Sequence, residues 1–336
     1  MSPVLLLVIF IASLAILVKA SDFFTGAAEK IGIFFGMDPF IVGVTIVAVG
    51  TSLPELVSSL IAVLQGASEV VVGNVVGSNI ANIFLIIGIA GVISTASPGK
   101  ARGRELIIEY DLVSVDLPLF VGSAFLLSLA ILDQQFSRVE SGIFILGYLI
   151  YLFYTLDTSK PETIATDSAT DGATVELAPE LDPDKQPTYL LKQIGILVFS
   201  SIFIFLGAKY TISSLISLSE ILNIGKEIIA VSAVAVGTSL PELIVTINAA
   251  MRGNAEIAIG NVLGSNIFNI FMVMGIPGLV GRLSIPESVL FSAVPVLLAG
   301  TLLMFFVTQD RKLTSWEGWL FFLFYVWFIA TTFNLA

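Results

Sequence analysis

Two glutamates in this sequence stand where a lone carboxylate is expensive. Glu55 lies between Ile46-Val47-Ala48-Val49 and Leu56-Val57, and the stretch Gly50-Thr51-Ser52-Leu53-Pro54-Glu55 recurs unchanged as Gly237-Thr238-Ser239-Leu240-Pro241-Glu242. Each acid falls inside an apolar run of membrane-crossing length, where ionisation costs on the order of a few kcal/mol or more. Neither run holds a Lys or Arg to neutralise it. Two such carboxylates brought together repel each other and resist ionisation. One divalent cation, or two or three monovalent ones, answers both difficulties. Proline adds oxygens to the same place. Pro54 has no N–H to give the Gly50 carbonyl and its ring crowds that carbonyl, so a kink or break is expected beside Thr51, Ser52 and Glu55.

A second duplicated block supplies amides and hydroxyls. Gly73-Asn74-Val75-Val76-Gly77-Ser78-Asn79-Ile80-Ala81-Asn82-Ile83-Phe84 recurs at 260–271, with changes only at Leu263 and Phe268. Asn74, Ser78 and Asn82 are spaced by four, which is one helical face; Asn261, Ser265 and Asn269 repeat the pattern. Gly73, Gly77, Gly260 and Gly264 leave room for close backbone approach. Two carboxylates with these groups and freed carbonyls reach the roughly six to eight oxygens that Ca²⁺ takes. Plainer uses stay open. The asparagines can bridge helices, Ser52 and Ser239 can bond back to their own helix, and the glycines can serve packing alone.

Composition fixes what must position these residues. Of 336 residues, 56% are hydrophobic and 12% charged, against about a quarter charged in a soluble domain. The chain has no Cys and no His, which excludes disulfides, thiol chemistry, His-ligated metals and His proton relays. An intramembrane enzyme would lack its usual nucleophile–base pair. Hard oxygen donors remain, suited to Na⁺, Ca²⁺ or Mg²⁺. Hydropathy gives ten spans near 3–20, 38–64, 70–94, 112–132, 140–156, 189–216, 227–250, 255–280, 287–307 and 315–333. The net charge of -11 gathers in 157–187, where eight acids face only Lys160 and Lys185. That stretch reads as a solvated linker. An EF-hand started at Asp167 fails there, because Ala169 and Ala178 fill ligand positions. The run from Val4 to Val18 has no basic stretch before it and reads as an uncleaved first helix. Asp116, near the end of its span and without a repeat counterpart, is expected at the membrane interface.

Both duplicated blocks share one offset of 187 residues, so the halves are collinear. The expected organisation is a first five-helix repeat over 1–156, an acidic linker over 157–187 and a second five-helix repeat over 188–336. Five is odd, so the second copy enters from the opposite side, and paired sites meet near the midplane. The fold expected is an all-α membrane protein of ten helices in two inverted-topology repeats, with broken helices at that depth. Lys19, Lys30, Lys100, Arg102, Arg104, Lys160, Lys185, Lys192, Arg252, Arg311 and Lys312 fall on one side; Arg138, Lys209, Lys226 and Arg282 fall on the other. The basic excess places the 157–187 loop in the cytoplasm and both termini outside, as a multi-pass protein of the cell membrane.

The paired GTSLPE and GNVVGSNIANIF segments resemble the alpha repeats of the cation/Ca²⁺ antiporter superfamily, in its sodium/calcium exchanger branch. The resemblance covers essentially the whole membrane part. It implies Glu55 and Glu242 as central Ca²⁺ ligands, with carbonyls of Thr51 and Thr238 beside them. It implies Ala48 and Ala235 as carbonyl donors to flanking Na⁺ sites, Ser78 and Ser265 completing those sites, and Asn82 and Asn269 framing the middle. Ser52 and Ser239 join the candidate set from the motif. The first and sixth helices are implied to slide past the rest. Asn at 269, where K⁺-dependent relatives carry Asp, argues against K⁺ co-transport; GTSLPE in place of a GNxxE-type signature favours Na⁺ over H⁺. The function implied is antiport of Na⁺ against Ca²⁺, with Ca²⁺/H⁺ exchange on the same fold as the alternative. The expected partners are those ions and the lipid bilayer, with no cofactor, no nucleic acid, no obligate protein partner and no enzymatic activity.

Overall fold

The computed structural model describes residues 3–93, 105–158, 186–221 and 239–332. Over these the chain is helical, in ten segments. They are α1 (Pro3–Phe35), α2 (Pro39–Leu64), α3 (Glu69–Ile93), α4 (Asp116–Ala130), α5 (Arg138–Thr158), α6 (Gln186–Ile221), α7 (Leu240–Met251), α8 (Ala255–Val280), α9 (Val289–Thr308) and α10 (Ser315–Thr332). Seven, all but α4, α7 and α10, are long and apolar enough to cross a membrane. The acidic stretch expected as a linker lies, from 159 to 185, outside the described residues.

Two helices outrun hydropathy. The first span was expected to end near residue 20, yet α1 continues to Phe35. Its polar second half is satisfied sideways: Arg252 donates to Asp22 and Asn254 to Glu29. Thr25 meanwhile bonds back to the Ser21 carbonyl. A helix ends where its hydrogen bonds end, not where its hydropathy falls. α6 likewise extends beyond both expected limits, 189 and 216.

Local chemistry sets the ends of α2. Asp38 accepts from the Phe40 N–H at 2.8 Å and Pro39 opens the first turn, a capped start with a preset φ. At the other end Gly66 takes φ +77°. Its N–H bonds the Val63 carbonyl and that of Ala67 the Ala62 carbonyl, a Schellman closure. α7 ends identically: Gly253 has φ +84°, and the N–H groups of Gly253 and Asn254 reach Ala250 and Ala249. The two glycines are 187 positions apart, so the repeat extends past the conserved blocks into turn geometry.

The helices form an inner and an outer layer. In α8, 94% of the apolar stretch is buried, and 78% in α3; in α1 and α6 the shares are 28% and 22%. α1 and α6 lie antiparallel against each other: Thr211 Oγ1 donates to Ser13 Oγ at 2.9 Å, and Gly207 sits against Leu17. Two short antiparallel ribbons tie the helix ends. β1 (Glu105–Ile107) pairs β4 (Lys312–Thr314), joining the α3–α4 and α9–α10 connections. β2 (Gln135–Phe136) pairs β3 (Leu283–Ser284), joining the α4–α5 and α8–α9 connections.

Side-chain bonds extend each group. Ser68, in the α2–α3 turn, accepts from the Ser284 N–H. Arg252, at the α7–α8 turn, bonds Asp22, and Glu256 just beyond accepts the N–H groups of Glu109 and Tyr110. The α2–α3 turn thus joins the β2–β3 end of the molecule. Its repeat equivalent, the α7–α8 turn, joins the end where α1 runs toward α2.

Candidate functional site

Four inner helices carry the duplicated residues. α2 brings Ala48, Thr51, Ser52 and Glu55; α3 brings Ser78 and Asn82; α8 brings Ser265 and Asn269; the start of α7 brings Ser239 and Glu242. All are buried. Thr238 and Ala235 lie outside the described residues.

The helices approach closely because glycine lets them. A Cβ on Gly260 would come within 2.6 Å of the Phe40 carbonyl, and one on Gly264 within 2.6 Å of Ala48 Cβ. A Cβ on Gly43 would meet the Ile257 carbonyl at 2.7 Å. Backbone thus packs on backbone where α8 crosses the first turns of α2.

The helix run differs from the expectation at Pro54. α-Helical structure continues through that proline from Ala48 to Leu64, and the irregular turns are π-helical ones just upstream, Gly43–Val47. In the second copy, α7 starts at the motif itself, with Pro241 in its first turn. There a missing N–H costs nothing. Matching π-turns open at Ala81–Ile86 and Asn269–Val273, beside the two repeated asparagines.

The two copies interlock. Ser52 Oγ donates to Glu242 Oε1 at 3.0 Å, from one repeat to the other. Thr51 Oγ1 lies within donating distance of Asn261 Oδ1 (3.2 Å) and of the Ala48 carbonyl (3.3 Å), and 3.4 Å from Ser265 Oγ. Asn261 Nδ2 donates to Thr246 Oγ1 at 2.9 Å, and its repeat mate Asn74 donates to Ser59 Oγ at 3.3 Å, the same contact twice. Asn79 Nδ2 donates to the carbonyl of Asn266, its own mate 187 residues on.

What these atoms do not do is equally informative. Glu55 Oε1 and Oε2, Glu242 Oε2, Asn82 Oδ1 and Nδ2, Asn269 Oδ1 and Ser239 Oγ are buried with no hydrogen-bond partner among the described residues. Neither glutamate pairs with a Lys or Arg there; the ion pairs present involve Asp22, Asp111 and Asp310 instead. Ser52, one turn before Glu55 on α2, reaches Glu242, so the two acids lie in one region. Each buried polar group left unsatisfied costs about 1–3 kcal/mol, and a charged one more. Such a concentration of acceptors fits a cation between them.

Sequence reading passed over Asn79, Asn266 and Thr246. The first two lie inside the repeated block, one position off the Asn-Ser-Asn face, and only their contact across the axis distinguishes them. Asp116, at the start of α4, is buried, and Tyr151 donates to its Oδ1 at 2.8 Å.

Comparison with known proteins agrees with this architecture. The family model described as sodium/calcium exchanger protein matches residues 5–156 and 192–334. Sodium/calcium exchanger MaX1 of Methanosarcina acetivorans is 37% identical, over 97% of this chain and 98% of its own length. Inner membrane protein YrbG of Escherichia coli K12 is 32% identical, over 81% and 79%. The solved structure of the sodium-calcium exchanger NCX_Mj soaked with zero Na⁺ and Ca²⁺ superposes with a TM-score of 0.79 at 26% identity, covering 98% of this chain and all of that one. With its ten helices and these matches, the chain is an integral, multi-pass membrane protein that belongs to the sodium/calcium exchanger family.

Proposed function

We propose that this protein exchanges Na⁺ for Ca²⁺ by alternating access at one midplane site shared by its two halves. Glu55 and Glu242 are the central ligands. Thr51, Ser52, Ala48, Ser78 and Asn82 join them from the first repeat, and Thr238, Ser239, Ala235, Ser265 and Asn269 from the second. The observation that carries this reading is the pair of buried carboxylates with three of four oxygens unpaired and no basic partner among the described residues. One Ca²⁺ or several Na⁺ neutralise the pair equally, so the ions compete for it, and competition couples their fluxes. The similar proteins MaX1 and NCX_Mj, both sodium/calcium exchangers, support the same pair of ions.

The halves are inverted repeats in this reading. Support comes from the equivalent α2–α3 and α7–α8 turns tying to different ends of the molecule. The basic excess puts the linker in the cytoplasm and the termini outside the cell membrane. α1 and α6 are the moving pair: they contact each other along their length, and only 28% and 22% of their apolar stretches are buried.

Na⁺-driven ⁴⁵Ca²⁺ uptake into proteoliposomes tests the assignment. Glu55→Gln keeps the volume and removes the charge, and uptake should fall to the protein-free background. Retention of wild-type uptake by that variant refutes the site.

A further inference from the structure

Asn269 presents an unusual choice to a cation. Its amide carries an oxygen that attracts the ion and an NH2 that repels it, and the side chain is buried. A chain of contacts removes the choice. The Asn266 backbone carbonyl can only accept, so the side-chain atom of Asn79 that lies 3.2 Å from it is Nδ2. Asn79 Oδ1 is then the atom facing Asn269, also at 3.2 Å. An oxygen without hydrogen demands a donor, so Asn269 turns its Nδ2 to Asn79. Its Oδ1 is left buried and unpaired among the described residues. Amide orientation normally has to be inferred from competing partners; here a backbone carbonyl fixes it.

The mirror chain is not built. Asn266, the mate of Asn79, gives its Nδ2 to the Val262 carbonyl of its own helix at 2.7 Å. Asn82, the mate of Asn269, has no partner on either amide atom among the described residues. Only one half therefore has the device.

We propose that Asn79 is a positioning residue that holds the Asn269 amide with its oxygen toward the bound cation. The proposal rests on the exchange site proposed above. Ser265, one helical turn before Asn269 on the same face, touches Thr51, which places that face against the site.

A double-mutant cycle separates positioning from packing, read as Ca²⁺ affinity by calorimetry on purified protein in detergent at pH 8. Asn79→Leu frees the amide to turn its NH2 inward and should weaken Ca²⁺ binding at least about tenfold, the usual scale for losing an outer-shell partner. Asn269→Asp makes the two distal atoms equivalent oxygens, so orientation ceases to matter. On that background Asn79→Leu should change affinity by less than about twofold, within ordinary additivity error. Equal losses in both backgrounds, or no loss in either, overturn the role of Asn79. Asn79→Ala runs the same cycle if the leucine variant does not fold. Wild-type protein that binds no Ca²⁺ removes the underlying site and this inference together, whereas wild-type binding with additive losses removes the inference alone.

Discussion

At the scale of single residues, the two central acids are not equivalent. Glu242 has one oxygen held by Ser52, whereas Glu55 has both oxygens free among the described residues and Ser239 has no partner. A hydrogen bond to a charged group contributes about 1.5–3 kcal/mol. Ser52→Ala should therefore weaken Ca²⁺ binding by roughly tenfold or more, measured by calorimetry; unchanged affinity would remove Ser52 from the site. Tyr151→Phe makes a separate claim about stability. It leaves the buried Asp116 without its phenol donor, at an expected cost of about 1–3 kcal/mol, seen as a lower melting temperature in detergent with Ca²⁺ affinity retained. Glu55 and Glu242 were legible in the sequence because an unpaired acid in oil is costly, and the cost appears twice at a fixed offset. Asn79 was not legible. Its role is set by a contact with its own repeat mate, and no spacing along one helix predicts a contact across an axis. The burial of Asp116 was not legible either, because distance from a span's end says nothing about which neighbour covers it.

At the scale of elements, close helix packing holds the ligand face in register. Gly264 lies against Val44 and Ala48 at the start of the segment that carries Thr51 and Glu55. Gly264→Ala adds a methyl group where the nearest atoms are backbone and a Cβ, neither of which can swing away. Overpacking of this kind costs about 1–3 kcal/mol, so the melting temperature should drop by several degrees and Ca²⁺ affinity should fall with it. A variant that melts and binds like wild type would show that this contact does not position the site. The helices themselves were readable from hydropathy, with two instructive failures. α1 runs past its apolar stretch because partners on α7 and its turn satisfy Asp22 and Glu29. The proline in α2 does not end that helix, which runs α-helical from Ala48 through Pro54 to Leu64.

At the scale of the whole molecule, the proposed inversion of the halves and the proposed side of each connection rest on counting: five spans, an odd number, and a lopsided distribution of Lys and Arg. The pairings β1–β4 and β2–β3 sort the connections into two groups independently of charge. Because the natural chain has no Cys, single cysteines report sidedness without background. Gln65→Cys, in the α2–α3 turn, should react with a membrane-impermeant maleimide in intact cells. Gln309→Cys, beside the β1–β4 ribbon, should react only after permeabilisation. Labelling of both from one side contradicts the proposed topology.

Which gradient drives Ca²⁺ through the proposed carboxylate site is the deciding question. ⁴⁵Ca²⁺ uptake into proteoliposomes of the wild-type protein, under separately imposed Na⁺, K⁺ and H⁺ gradients, asks this directly. An outward Na⁺ gradient alone should drive uptake, with K⁺ adding nothing. Uptake driven by a pH gradient in the complete absence of Na⁺ contradicts it.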